Sequence, residues 1–245
     1  MILKIKTLFE DKNILAIDKP SGISVQNDEK STEKTILDLL PKKYSKIILA
    51  HRLDKETSGV LLLAKNEKVY EFLKNQFKNR EIKKIYYAIV NGWLKNDHGI
   101  INKPIGRSPN DFRRHLAGRG ARGELREAIT EYKVLKRFNC PSLDPSQREG
   151  KKSLSPSLRG GLGGANKFSY LEVKPKTGRT HQIRVHMKFL NYPVACDPLY
   201  NPKGFCPKAI NRLALHAKSI EFKNLNNKII KIESPLPKEF KKILK

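Results

Sequence analysis

Two short apolar runs, Ile47 to Ala50 and Val60 to Ala64, flank the charged segment His51-Arg52-Leu53-Asp54-Lys55-Glu56-Thr57-Ser58-Gly59. Both runs are too short for a helix and rich in branched residues, so each reads as a strand with little exposed face. The segment between them must then be a loop whose two ends are fixed by buried strands. A carboxylate on such a loop, with basic groups beside it, stays ionised and can act as a nucleophile. A surface turn in which Asp54 pairs with Arg52 in solvent accounts for these residues equally well. The loop alone does not decide between the two.

Alternation of apolar and polar residues marks further strands at Asn13 to Ile17, Lys84 to Val90, Ala128 to Phe138, Ser169 to Lys174, Leu213 to Ala217 and Lys228 to Glu233. Helical spacing is rarer. Glu67 to Lys78 places Val69, Leu73 and Phe77 on one side, and His181 to Leu190 does the same with Ile183, Met187 and Leu190. After Pro235-Leu236-Pro237, Lys238 to Leu244 reads as a short basic helix. Strands that do not alternate regularly with helices predict a mixed α/β (α+β) fold, with a mainly antiparallel central sheet flanked by helices. From Asn139 to Lys167 the composition shifts to Ser, Gly and Pro, which predicts a flexible insertion between neighbouring strands. The glycines there lack the spacing and the strand-to-helix setting of a phosphate-binding loop.

Charge narrows the partner. Fifty Lys plus Arg against 24 Asp plus Glu give a formal net charge of +26, an excess that calls for a polyanion, and nucleic acid is the natural one. Arg107, Arg113, Arg114, His115, Arg119, Arg122 and Arg126 crowd a segment with few apolar residues, which reads as a mobile basic loop over 107–126. Cys140, Cys196 and Cys206 show no paired spacing and no neighbouring His at metal-ligand distance, so they are expected to be free thiols in a reducing compartment. The start, Met1-Ile2-Leu3-Lys4-Ile5-Lys6, is not an apolar signal core, and no run reaches membrane-spanning length. A soluble, cytoplasmic protein is expected.

Three segments resemble one family in residue, order and rough spacing. They are Ile17-Asp18-Lys19-Pro20-Ser21-Gly22-Ile23-Ser24-Val25, the 51–59 loop, and Lys174-Pro175-Lys176-Thr177-Gly178-Arg179-Thr180-His181-Gln182-Ile183-Arg184-Val185-His186. Together they look like the RluA-type pseudouridine synthases, and the resemblance runs from Leu15 to about Phe240, including Leu213-Ala214-Leu215-His216-Ala217. His-Arg-Leu-Asp followed by Thr-Ser-Gly is similar to that family's catalytic motif, which makes Asp54 the catalytic aspartate by resemblance. Lys84-Ile85-Tyr86-Tyr87-Ala88 resembles its Lys-x-Tyr-x-Ala segment and carries over Tyr86; His-Gln-Ile-Arg carries over Arg184 as the cation beside the aspartate. The resemblance implies one catalytic domain over 1–245, similar to compact members without the N-terminal S4-like RNA-binding module. It also implies isomerisation of uridine in structured RNA, a ribosomal or transfer RNA stem-loop, with no cofactor; a monomer would suffice for this and is expected.

The residues suit that chemistry. Breaking the ribose-to-base bond and rejoining the ring through carbon requires an ionised carboxylate, a cation to hold it and an aromatic wall. On a helix beginning near Thr180, His181, Arg184 and Lys188 share a polar face, so Arg184 is expected to point away from the core. The Thr177-Gly178-Arg179 turn before it is a possible anion site. Arg52 is a candidate to fill the gap left by a flipped base. Candidate RNA contacts are Arg52, His51, Arg107, Arg113, Arg114, Arg179 and His181. His51 and His216 also suit the blander role of satisfying buried polar groups. His181 and His186, five apart, miss helical metal-ligand spacing, so no metal is expected. The alternative class is a non-catalytic basic RNA-binding or ribosome-assembly factor.

Overall fold

The computed structural model describes residues 5–26, 32–143 and 166–245. In chain order its elements are β1 (Lys6–Glu10), β2 (Ile14–Lys19), β3 (Ile48–Leu49), β4 (Ser58–Ala64), α1 (Glu67–Lys78), β5 (Lys83–Asn91), β6 (His98–Asn102), β7 (Ile105–Arg107), β8 (His115–Ala117) and β9 (Arg122–Arg126). They continue with β10 (Ile129–Cys140), β11 (Ser142–Leu143), β12 (Asn166–Pro175), α2 (Gln182–Phe189), β13 (Cys206–Pro207), β14 (Leu215–Lys223), β15 (Ile229–Glu233) and α3 (Lys238–Leu244). The fold is mixed α/β, and every pairing within the two units below is antiparallel except that of β4 with β14. No described helix is long and apolar enough to cross a membrane.

The residues divide into two compact units, Met1–Tyr86 with Leu215–Leu236, and Tyr87–Ala214 with Pro237–Lys245. In the first, β4 lies between β2 and β14; β1 borders β2, β15 borders β14, and β3 pairs with β4. All seven residues of β4 are buried because both of its faces are covered. Val60, Leu62 and Ala64 join Ile14, Ala16 and Ile220 against Val69 and Leu73 of α1. Leu61 and Leu63 join Leu15, Ile17, Val25, Ile36 and Leu53 on the opposite face. The strand period of two sorts the apolar run between two cores, and each buried Leu contributes about 1.5–3 kcal/mol. Helix α1 begins where the Asn66 side chain accepts a hydrogen bond from the Val69 N–H at 3.0 Å, one of the first-turn donors that lacks a helical partner.

In the second unit β10 lies between β12 and β6, and its register shifts between Val134 and Lys136. A separate three-stranded sheet runs in the order β8-β7-β9, where a mobile loop was expected from the arginines. β9 is exposed at every residue, so its sequence lacks the apolar alternation that marks a half-buried strand. The expected insertion over 139–167 is narrower: Asn139 and Cys140 pair with Lys167 and Asn166, and residues 144–165 of that expectation lie outside the described residues.

The cysteine expectation needs correction: Cys196 and Cys206 form a disulfide, with Cα atoms 5.1 Å apart. Their spacing of ten residues resembles no local motif. The chain after α2 folds back, Cys196 taking a left-handed φ of 58° and Cys206 lying in β13, so the pairing is a tertiary matter. Cys140 is a free thiol.

Candidate active site

The loop between β3 and β4 is held by its own backbone. Leu53 is buried in the core, and the Thr57 N–H donates to the Asp54 carbonyl at 3.1 Å, closing a turn around the aspartate. Residues after β2 take the next two carbonyls. The Lys55 carbonyl accepts from the Lys19 ammonium at 2.9 Å and from the Gly22 N–H at 2.9 Å, and the Glu56 carbonyl accepts from the Ser21 hydroxyl at 2.6 Å. Lys19 is fully buried and also donates to the Pro20 carbonyl at 2.8 Å. Such charge-assisted bonds are among the stronger ones in proteins. The Asp18-Lys19-Pro20-Ser21-Gly22 segment thus acts as a clamp on the loop, a role its sequence did not disclose.

Thr-Ser-Gly has equally specific reasons. Ser58 and Gly59 lie directly opposite His216 and Ala217, where β4 and β14 run parallel. The Ser58 hydroxyl bonds the Nδ1 of His216 at 2.9 Å inside the core. Gly59 has φ +112°, and a Cβ there would meet the Ala217 carbonyl oxygen far inside contact distance, so only glycine fits. Asp54 itself is half-buried.

Tyr86, on β5, packs at the margin of the core that holds Leu53. Its phenol is pushed well above the ordinary range, first by burial and second by the negative charge of Asp54. The Asp54 carboxylate therefore lies close enough for its charge to act on the phenol, which stays protonated at neutral pH. Lys84, two residues earlier on the strand, is half-buried, and burial lowers its ammonium to about 8.

His51, expected among the RNA contacts, turns inward instead. Its Nε2 accepts the Leu62 N–H at 3.0 Å, and its ring lies 5.2 Å from that of Phe77. Burial, and then the positive charge of Lys84, lower its pKa to about 3, so at neutral pH the ring is uncharged and serves the fold. Arg52 is exposed, two positions before Asp54.

The expected outward orientation of Arg184 is also corrected. Expected on a polar helix face, Arg184 is only 4% exposed, because Gln182 through Met187 are all buried. Its Nε donates to Asp197 Oδ2 at 2.8 Å and its Nη2 to Oδ1 at 2.8 Å, a bidentate pair that fixes the plane of the guanidinium. Asp197 Oδ1 further accepts the Leu199 and Tyr200 N–H groups, both at 2.9 Å. The Tyr200 ring lies 5.1 Å from the guanidinium carbon, and its hydroxyl bonds His181 Nδ1 at 3.0 Å and accepts the His115 N–H at 2.9 Å. Sequence reasoning missed Asp197 and Tyr200. The signal available was a carboxylate at the end of the apolar run Val194-Ala195-Cys196.

The expected anion site before α2 is filled from within. The Gln182 side-chain oxygen accepts the Arg179 N–H at 3.0 Å and the Thr177 hydroxyl at 2.6 Å. The Arg179 side chain donates to the Glu127 carbonyl at 2.9 Å. His186 uses both ring nitrogens, on the Thr130 hydroxyl at 2.8 Å and the Lys103 carbonyl at 3.0 Å. Of the other candidates, Arg107 is exposed on β7, while Arg113 and Arg114 follow it in the turn to β8, both beside Asp111.

Residues 13–189 match a family described as RNA pseudouridylate synthase. The chain is 32% identical to the ribosomal large subunit pseudouridine synthase D of Borreliella burgdorferi, over 97% of this chain and 67% of that protein. It is 34% identical to an uncharacterized RNA pseudouridine synthase of Zymomonas mobilis, over 98% of this chain and 97% of that protein. The solved structure of human RNA pseudouridylate synthase domain containing 1 has the same fold, with a TM-score of 0.73 over 97% of this chain and 85% of that one, at 22% identity.

Proposed function

Because the chain belongs to the RNA pseudouridylate synthase family, and is therefore an isomerase acting on RNA, we propose that it converts uridines of structured ribosomal RNA, or transfer RNA stem-loops, to pseudouridine through Asp54. The observation that carries this reading is the ionisable carboxylate on a clamped loop, with a protonated phenol within reach of its charge. The reaction breaks the ribose-to-nitrogen bond, turns the uracil and rejoins it through a ring carbon; the proton of that carbon is lost to water and the freed ring nitrogen takes one up. It needs no redox partner or energy source, so the reading includes no cofactor and no metal.

In this reading Asp54 is the nucleophile. Its loop is preorganised by three hydrogen bonds to the Lys55 and Glu56 carbonyls, so little ordering remains for the moment of reaction. Tyr86 supplies the aromatic wall for the detached ring; with its pKa raised, it donates a hydrogen bond rather than serving as a base. Arg184 is assigned as the cation for Asp54 on the likeness of its His-Gln-Ile-Arg segment, and Asp197 holds its guanidinium in one orientation. The target uridine leaves its stack to reach the carboxylate, at a cost of about a few kcal/mol, and exposed Arg52 fills the gap. In this reading the enzyme is a cytoplasmic monomer.

The test is replacement of Asp54 by Asn, which keeps size and most hydrogen bonding. With ribosomal RNA labelled with tritium at uridine carbon five, the wild type releases tritium and D54N does not. Release by D54N at the wild-type rate refutes the assignment. Mapping pseudouridines in cellular RNA with and without the protein then identifies the uridines.

A further inference from the structure

Seven residues join β7 to β8, and one of them breaks the ordinary rule for apolar side chains. Phe112 is 88% exposed, the highest value among the large apolar side chains described. Its place is not the result of slack. Asp111 binds the Arg113 side chain through both oxygens, at 3.0 and 2.9 Å, and accepts the Arg113 N–H at 3.0 Å. The Asp111 carbonyl accepts the Arg114 N–H and the Arg114 carbonyl accepts the Ser108 N–H, both at 2.9 Å. The bonds from Arg113 hold the carboxyl of Asp111 down at about 2, so it stays charged and able to accept them throughout the physiological range. A tied turn that lifts a phenyl ring into water presents that ring for something.

The surroundings select the partner. Phe112 shares a shallow hollow with Ser108, Pro109, Asn110, Asp111 and Arg113, so no apolar patch surrounds it of the kind a protein partner would bury. On the sheet below, Arg107 sits directly across from His115 on one side and from Arg122 on the other. The two guanidinium groups of Arg107 and Arg122, facing each other across strands, destabilise a sheet unless an anion neutralises them. Over 105–126 six arginines face two carboxylates, Asp111 and Glu124, both already paired with arginines of the segment. An aromatic ring beside closely spaced cations is the arrangement that takes a base face and its flanking phosphates together.

We propose that Phe112 stacks on an unpaired nucleobase of the substrate RNA, next to backbone phosphates held by Arg107 and Arg122. This rests on the reading of the chain as an RNA-modifying enzyme and adds a contact that the catalytic loop does not supply. A planar face is required, so Tyr and Trp can replace Phe while Leu cannot. Stacking carries no charge, so it strengthens binding without altering its salt dependence.

The test measures the full-length protein in two assays. Fluorescence anisotropy with a labelled, unmodified RNA stem-loop gives Kd and its dependence on salt. Tritium release from carbon-five-labelled ribosomal RNA gives KM and kcat. Phe112→Ala is expected to weaken Kd and KM on the order of tenfold, mostly sparing kcat and leaving the salt slope unchanged. Phe112→Trp restores both, whereas Phe112→Leu does not. The proposal fails if the alanine variant binds as the wild type does, or if leucine rescues as well as tryptophan, which would mark an apolar contact such as one to a protein. If the wild type binds the stem-loop but releases no tritium, the enzymatic reading fails, while the anisotropy series still decides the role of Phe112.

Discussion

Asp197→Asn changes one atom type and removes one charge, and the structure makes its effect calculable. In the native protein Asp197 Oδ1 accepts from Arg184 Nη2 and from the Leu199 and Tyr200 N–H groups, while Oδ2 accepts from Arg184 Nε. Asparagine keeps the first oxygen. Its amide nitrogen then stands where Oδ2 stood and opposes the Nε–H, donor against donor, within a site where both residues are 4% exposed or less. Removing one member of a buried charge pair costs about 3–5 kcal/mol. At about 2–4 °C per kcal/mol for a chain of this size, Tm falls by roughly 6–20 °C. Thermal unfolding followed by far-UV circular dichroism measures this directly, and a shift smaller than about 2 °C refutes the reasoning. The double variant Arg184→Met with Asp197→Asn separates stability from function. It removes both charges while the asparagine oxygen still accepts the Leu199 and Tyr200 N–H groups, so part of the Tm should return. Pseudouridine formation should stay lost, because the proposed cation is gone.

Two further outcomes follow from neighbouring elements. Gly59→Ala places a Cβ against the Ala217 carbonyl at a backbone angle that L-residues rarely adopt; urea unfolding should show a loss of about 2–5 kcal/mol, and an unchanged midpoint would contradict the close approach of β4 and β14. His51 has a folded pKa of about 3 against an ordinary value near 6.5, so its neutral form stabilises the fold fully above pH 6.5, and that contribution fades as pH falls from there toward 3. It amounts to a few kcal/mol. The urea midpoint of the wild type should drop with acid across this window, and His51→Gln, which keeps an acceptor for the Leu62 N–H, should drop less; equal slopes would remove His51 as the cause.

The helix expected over Glu67 to Lys78 spans those residues, and the apolar run after Gly59 is a strand buried on both faces, because both features are written in local periodicity. The 51–59 loop, Tyr86 and the segment leading into α2 could be singled out for the same reason: residue type and spacing along one stretch of chain carry them. Partnership across the chain is different. That Lys19 reaches the Lys55 carbonyl, that Arg184 is engaged by Asp197, that Cys196 meets Cys206, and that His51 gives its lone pair to Leu62 all depend on strands and turns brought together from separate places. A polar side chain reads the same in sequence whether it faces water or a buried counter-charge. The arginine segment is the converse case, since β9 is exposed along its length and carries no apolar alternation, and only backbone pairing turns 105–126 into a sheet with Phe112 at its tip. Periodicity and motif order determine which surfaces are buried and which chemistry is available; tertiary packing decides which donor meets which acceptor, because those distances are set by the fold and not by the spacing of residues along the chain.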